Sequence, residues 1–121
     1  MTDTEKLLQT AFKALDEKKA YDIKVIDISK VSILADYFMI ATGSNINQIH
    51  AMTDLVEEKL SKEGYHPRAV EGYRLGNWIL MDYQDVVIHI FDQESREFYD
   101  LERIWTDGEI VEIKDPDQKE D

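Results

Sequence analysis

Apolar positions recur along this chain in two rhythms, and the changes of rhythm mark its elements. Leu7, Leu8, Ala11, Phe12 and Leu15 fall three and four apart, the spacing of one helical face. Thr2 and Glu5 fit a capping box at its start, and Lys18 and Lys19 suit the negative end of its dipole. The β-branched run 23–28 predicts a strand, and 29–32 a connection or a single turn. Residues 36–42 predict a second strand, apolar enough to be central. Gly43-Ser44-Asn45 stops it and starts a helix, with Asn45 as cap and Gln48 reaching back from the third helical position. Ile49, Met52, Leu55, Val56 and Leu60 form the buried stripe of that helix, and Gly64 closes it.

The second half alternates with period two. Residues 66–71 predict a short edge strand, where Pro67 is tolerated, and Gly72 and Gly76 bracket a turn. Two strands follow as a hairpin across Tyr83-Gln84. Trp78, Leu80 and Asp82 share one face of the first, with Ile79 and Met81 on the other. On the second, Val86, Ile88 and Ile90 oppose Val87, His89 and Phe91. A last helix is expected over roughly 94–105. This order predicts a single layered α/β domain, residues 1–107, with a mixed sheet of about five strands flanked by helices. The crossover around 36–70 is expected to supply the parallel pair and the hairpin an antiparallel one. Residues 108–121 are acidic, carry Pro116, and read as a C-terminal tail.

Charge changes the picture most. The 121 residues carry a formal net charge of −12. Affinity for a nucleic-acid backbone comes from Lys and Arg displacing counterions, so direct DNA binding is not expected. Basic partners are favoured instead. There is no cysteine, hence no thiolate nucleophile and no zinc–thiolate site. The first residues carry neither an apolar signal core nor an Arg-rich leader, and no apolar run approaches the ~20 residues that span a bilayer. The expectation is a cytoplasmic protein that does not engage membranes.

Candidate chemistry is sparse. Gly43-Ser44 between a strand and a helix suits a phosphate on helix amides, or the start of a nucleotidyltransferase-like site using Ser44 and Asp82. That chemistry needs paired carboxylates to hold cations, and the following strands offer Asp82, a turn and Asp85, with no Asp-x-Asp. A plain turn and cap is the favoured reading. His50 and Asp54 lie four apart on one helix, but no third ligand is placed beside them, so no metal or cofactor is expected. His89, between Val87 and Phe91, reads as a packed or hydrogen-bonded sheet histidine. Ser44, Ser61 and Ser95 lie in no nucleophile-elbow context. Phe38, Phe91, Phe98 and Trp105 read as core; Arg96 and Arg103 beside Glu97 and Glu102 read as helix ion pairs. Trp78 stays open between core and interface, because Trp and Tyr are enriched at binding hot spots.

Several segments, in order and at this spacing, resemble one family. They are Asp22-Ile23, Asp27-Ile28-Ser29, Ala35-Asp36-Tyr37-Phe38-Met39-Ile40-Ala41-Thr42-Gly43, Glu71-Gly72, Trp78-Ile79-Leu80-Met81-Asp82-Tyr83, Val87-Ile88-His89-Ile90-Phe91, and Arg96-Glu97-Phe98-Tyr99-Asp100-Leu101-Glu102-Arg103-Ile104-Trp105. They are similar to the Iojap family of ribosomal silencing factors, RsfS. The resemblance implies a nucleotidyltransferase-like fold without the catalytic carboxylates. It also implies a non-enzymatic activity: binding the large ribosomal subunit through ribosomal protein uL-fourteen, blocking subunit joining, and lowering translation under nutrient limitation. A link to large-subunit maturation and a homodimeric state are implied as well. The alternatives are a metal-dependent nucleotidyltransferase and a dimeric adaptor without a ribosomal role. On the family reading, Trp78 and Leu80 anchor the partner, and Glu71, Asp82 and Asp85 face its basic side chains, with Tyr83 beside them at the hairpin end.

Overall fold

The two predicted long helices form where their caps place them. In the computed structural model, which describes residues 2–104, 108–111 and 113, helix α1 spans Asp3–Glu17 and Thr2 caps it by accepting the Glu5 amide at 3.1 Å. Strands β1 (Tyr21–Asp27) and β2 (Tyr37–Gly43) follow, then helix α2 (Ile46–Lys62). Asn45 caps α2 by accepting the Gln48 amide at 2.8 Å. The Gln48 side chain reaches back one residue further than expected, to the Ser44 amide at 2.6 Å. Its Nε2 also donates to the carbonyls of Lys18 and Lys19, so the end of α1 is tied to the start of α2.

Strands β3 (Ala69–Glu71), β4 (Trp78–Asp82) and β5 (Val86–Asp92), helices α3 (Gln93–Tyr99) and α4 (Leu101–Ile104), and strand β6 (Glu109–Val111) complete the described elements. The sheet has six strands in the order β3-β4-β5-β2-β1-β6. Among the described residues only β2 and β5 pair in parallel; the other neighbours are antiparallel. The parallel pair is therefore not β2 with β3, as the crossover over 36–70 suggested. The chain leaves β2 through α2, passes to the far edge at β3, and returns through β4 to lay β5 against β2.

The sixth strand is the main departure from the expected layout. Glu109, Ile110 and Val111, in the segment read as acidic tail, pair with Asp27, Ile26 and Val25. Short apolar pairing with β1 supplies what acidic composition alone obscured. The expected single helix over 94–105 is also broken, because Asp100 adopts a left-handed conformation at φ 48° and ψ 55°. Trp105, read as core, lies outside the described residues.

Helices α1 and α2 cover one sheet face. Leu7, Leu8, Ala11 and Leu15 of α1 and Ile49, Met52, Val56 and Leu60 of α2 pack on Val25, Met39, Ala41, Ile79, Met81, Ile88 and Ile90. The last four are fully buried, on the order of 1.5–3 kcal/mol of hydrophobic stabilisation each. Among the described residues the opposite face is only partly covered. There Leu101 of α4 packs with Ile26, Ile28, Ala35, Ile40 and Phe91. Arg96 of α3 pins that cover down: its guanidinium donates to the Asp22 carbonyl, to Thr42 Oγ1 at 2.7 Å, and to Glu102 Oε1 at 2.9 Å. Arg96 is thus a buried latch between β1, β2 and α4 rather than a surface pair with Glu97, whose carboxylate accepts from Gln93 instead.

Candidate protein-docking face

Strand register arranges the partly covered face in rows. One runs Ala69, Asp82, Val87, Phe38, Ile26 and Ile110; the next Glu71, Leu80, His89, Ile40 and Lys24; the third Trp78, Phe91 and Thr42. The α3–α4 segment covers the β1–β2 side of these rows. On the β3–β4–β5 side, Trp78, Leu80, Asp82 and Val87 stay half-buried and Glu71 is exposed. Tyr99 of α3 therefore stands beside the hairpin on its open face, against Trp78 and Phe91.

Four of the six expected partner residues, Glu71, Trp78, Leu80 and Asp82, come together on this face. Asp85 is exposed in the turn at the hairpin's end. Tyr83 does not join them. It lies on the other side of the sheet, 7% exposed and packed in the core under the helices. Strand alternation is the reason: Tyr83 continues the series Ile79, Met81. Its burial, together with Glu57 nearby, pushes the phenol pKa well above its ordinary value.

Asp82 has internal work. Its Oδ2 pairs with Arg68 at 3.0 Å, and its Oδ1 accepts the Gln84 amide at 2.8 Å. Gln84 sits at φ 75° in a three-residue connection, 83–85, rather than the two-residue turn expected. Among the described residues, the carboxylates of Glu71 and Asp85 take no hydrogen bond or ion pair, so these two are the unneutralised acids of the face.

An aromatic lattice floors the open region. Trp78 stacks on Phe91 with centroids 5.1 Å apart and lies tilted against Tyr99 at 4.5 Å. Phe38 meets His89 edge-on at 4.6 Å. Trp78 Nε1–H donates to His89 Nδ1 at 3.1 Å. His89 is 3% exposed, and burial pushes its pKa down to about 4, so the ring is neutral near pH 7. Phe98, expected in the core, is 79% exposed and extends the apolar surface past Tyr99. At the other end, Ile33 and Leu34 of the β1–β2 loop are almost fully exposed. That loop is tied to the hairpin turn, since the Asp85 carbonyl accepts from the amides of Asp36 and Tyr37. Neither exposed group carried a sequence signal, because solvation depends on what the rest of the fold leaves uncovered.

The alternative sites come apart. Gly43 faces Asp92 at one end of the β2–β5 ladder, whereas Asp82 lies in the row of Val87 and Phe38 near the other. Five residues of strand separate those rows, roughly 17 Å, so Ser44 and Asp82 do not meet. A Cβ on Gly43 would come within 2.6 Å of Ile49, which explains the glycine by close helix–strand approach. His50 and Asp54 do sit together, but both hold Tyr73: His50 Nε2 contacts its carbonyl at 2.6 Å, and Asp54 accepts its hydroxyl at 2.9 Å. Among the described residues no group of three or more His, Asp or Glu is placed to hold a metal ion.

One sheet face is sealed by helices, and the other offers aromatics rimmed by carboxylates without a partner among the described residues, a composition that makes it the candidate docking face. The sequence agrees along its whole length with one family model, described as ribosomal silencing factor during starvation and matching residues 1–121. The chain belongs to this RsfS family of ribosomal silencing factors. It is 34% identical to the RsfS protein of Halalkalibacterium halodurans over 91% of this chain and 94% of that one. It is 33% identical to that of Bacillus subtilis over 88% and 91%. A relative from Mus musculus named for mitochondrial assembly of the ribosomal large subunit is 31% identical, over 82% of this chain and 46% of that protein. A crystal structure of a Chromobacterium violaceum protein superposes with a TM-score of 0.84 at 32% identity, covering 87% of this chain and 88% of that one.

Proposed function

We propose that this chain represses translation by binding the large ribosomal subunit through ribosomal protein uL-fourteen and blocking the small subunit from joining. The open half of the sheet carries the proposal: Trp78 and Leu80 half-buried on it, with Glu71 and Asp85 unneutralised at its edge. Apolar anchors inside a charged rim are the anatomy of a protein interface. The charge of −12 supports a protein target over an RNA one. Ribosomal RNA repels such a chain, and basic ribosomal proteins are its attractive spots.

Blocking then needs bulk rather than chemistry. A folded chain of 121 residues has a radius of gyration of roughly 14 Å. A body of that size does not fit between two surfaces that must touch. An interface of about 1,600 Å² supplies the affinity. A role in large-subunit maturation uses the same docking. A second copy of the chain competes for this face in the free protein, so apparent affinity for the ribosomal protein falls as silencing-factor concentration rises. Among the described residues no helix is long and apolar enough to cross a membrane, and the proposed site of action is the cytoplasm.

The test is a sucrose gradient of ribosomes with added protein. Co-migration with free large subunits and a loss of joined ribosomes is expected. Protein that stays at the top of the gradient, with joined ribosomes unchanged, rules the proposal out.

A further inference from the structure

Trp78 is not a loose side chain on the open face. Its indole N–H donates to His89 Nδ1 at 3.1 Å, and its ring packs against both Phe91 and Tyr99, whose own centroids are 6.3 Å apart. Trp78 and His89 are diagonal neighbours across two paired strands, since Trp78 faces Phe91 and Leu80 faces His89. His89 is itself held in place, 3% exposed, with the Phe38 ring edge-on at 4.6 Å. A neutral imidazole has one donor and one acceptor nitrogen. The short contact makes Nδ1 the acceptor and puts the proton on Nε2.

We infer that His89 is a positioning residue for docking: by accepting the indole N–H, it holds Trp78 so that the partner meets the ring and not the donor. This rests on the docking function proposed above. An indole has a single N–H. With that donor committed inside the protein, the exposed part of Trp78 offers only π and apolar surface. The group it suits on a basic partner is a Lys or Arg side chain, whose charge attracts the ring and whose stem packs on it. A backbone carbonyl seeking a donor does not fit. Glu71, in the row beside Trp78, adds a carboxylate for the same cation. Remove the acceptor, and the indole N–H is left unpaired at the edge of the core or swings out to water.

Two variants separate the acceptor from the packing. His89→Asn keeps an oxygen near the Nδ1 position; His89→Leu fills similar space without one. In wild type and His89→Asn, the Trp78 indole N–H resonance, assigned by its loss in Trp78→Phe, is expected to exchange slowly with solvent. In His89→Leu it shifts and exchanges fast. On purified large ribosomal subunits His89→Leu binds about tenfold more weakly, and His89→Asn stays within about threefold of wild type. In a Trp78→Phe background the His89→Leu change has little further effect, because no donor remains to orient.

An unchanged indole resonance in His89→Leu overturns the inference, as does a His89→Leu effect that persists in full beside Trp78→Phe. Should His89→Leu fail to fold, wild type alone decides. A scalar coupling from the indole N–H to His89 Nδ1 supports the inference, and fast indole exchange with no coupling overturns it. If wild type binds no subunits, the docking function falls, while the resonance measurements still judge the positioning.

Discussion

The two faces of the β4–β5 hairpin are built from alternate residues of the same two strands, yet they differ in kind. Ile79, Met81, Ile88 and Ile90 point under α1 and α2, fully buried. Trp78, Leu80, Asp82 and Val87 point the other way with only partial cover, and the buried His89 in the same rows is joined to Trp78 by a ring contact and a hydrogen bond. The first face is interchangeable apolar volume, which packs well because helices close over it. The second must keep its shape without a lid. Stacked rings, the Trp78–His89 bond and the Arg68–Asp82 pair supply rigidity where burial is incomplete. A surface that is ordered before it binds loses less entropy on binding.

This contrast breaks most visibly if the sealed face is hollowed. Ile88→Ala is expected to lower unfolding free energy by about 2–5 kcal/mol, read from urea midpoints. Binding to large subunits at temperatures where the variant stays folded should be near normal. Equal losses of binding and stability would show that the two faces do not act separately.

Acid acts on the open face. His89 in the folded protein titrates near 4 instead of its ordinary 6.5, so the unfolded chain takes up that proton first. Its contribution to stability is complete above pH 6.5 and is lost as pH falls toward 4, by about 3 kcal/mol in all. Urea midpoints between pH 7 and 4.5 measure this. His89→Asn should show a flatter slope over the same window; identical slopes would mean that His89 is not held neutral.

Trp78→Ala is the reverse of Ile88→Ala. Binding to large subunits should fall about 30-fold or more, while the loss of stability stays below that of the sealed-face variant. A Trp78→Ala protein that folds and binds like wild type places the docking surface elsewhere.

The smallest effect is at the rim. Glu71→Lys is expected to slow association by severalfold at low salt, with little effect at high salt, because exposed charges are screened. Stability should change by less than about 1 kcal/mol. Glu71 is a cleaner probe than Asp82, whose substitution also breaks the Arg68 pair and the bond that holds Gln84 in its turn.

Much of the architecture was legible in local patterns. The caps at Thr2 and Asn45, the helical stripes and the alternation of β4 and β5 are properties of neighbouring residues, and they fall where the spacing put them. The same alternation assigns Trp78, Leu80 and Asp82 to one face. It also sends Tyr83 to the other, an implication masked by its adjacency to Asp82 in the chain.

By itself, then, the sequence determined the two long helices and the first five strands, their amphipathic faces, the acidic charge and, through a chain of matching segments, the family. These depend on residues a few positions apart or on composition, which survive without coordinates. Only the tertiary structure decided which strand lies beside which, that the parallel pair is β2 with β5, and that Glu109–Val111 close the far edge. It alone set Ser44 apart from Asp82, buried Arg96 against Thr42, exposed Phe98, and brought the Trp78 donor to the His89 acceptor. Such outcomes turn on long-range pairing and on what remains uncovered once every helix has docked, and no local rhythm of apolar and polar residues encodes them.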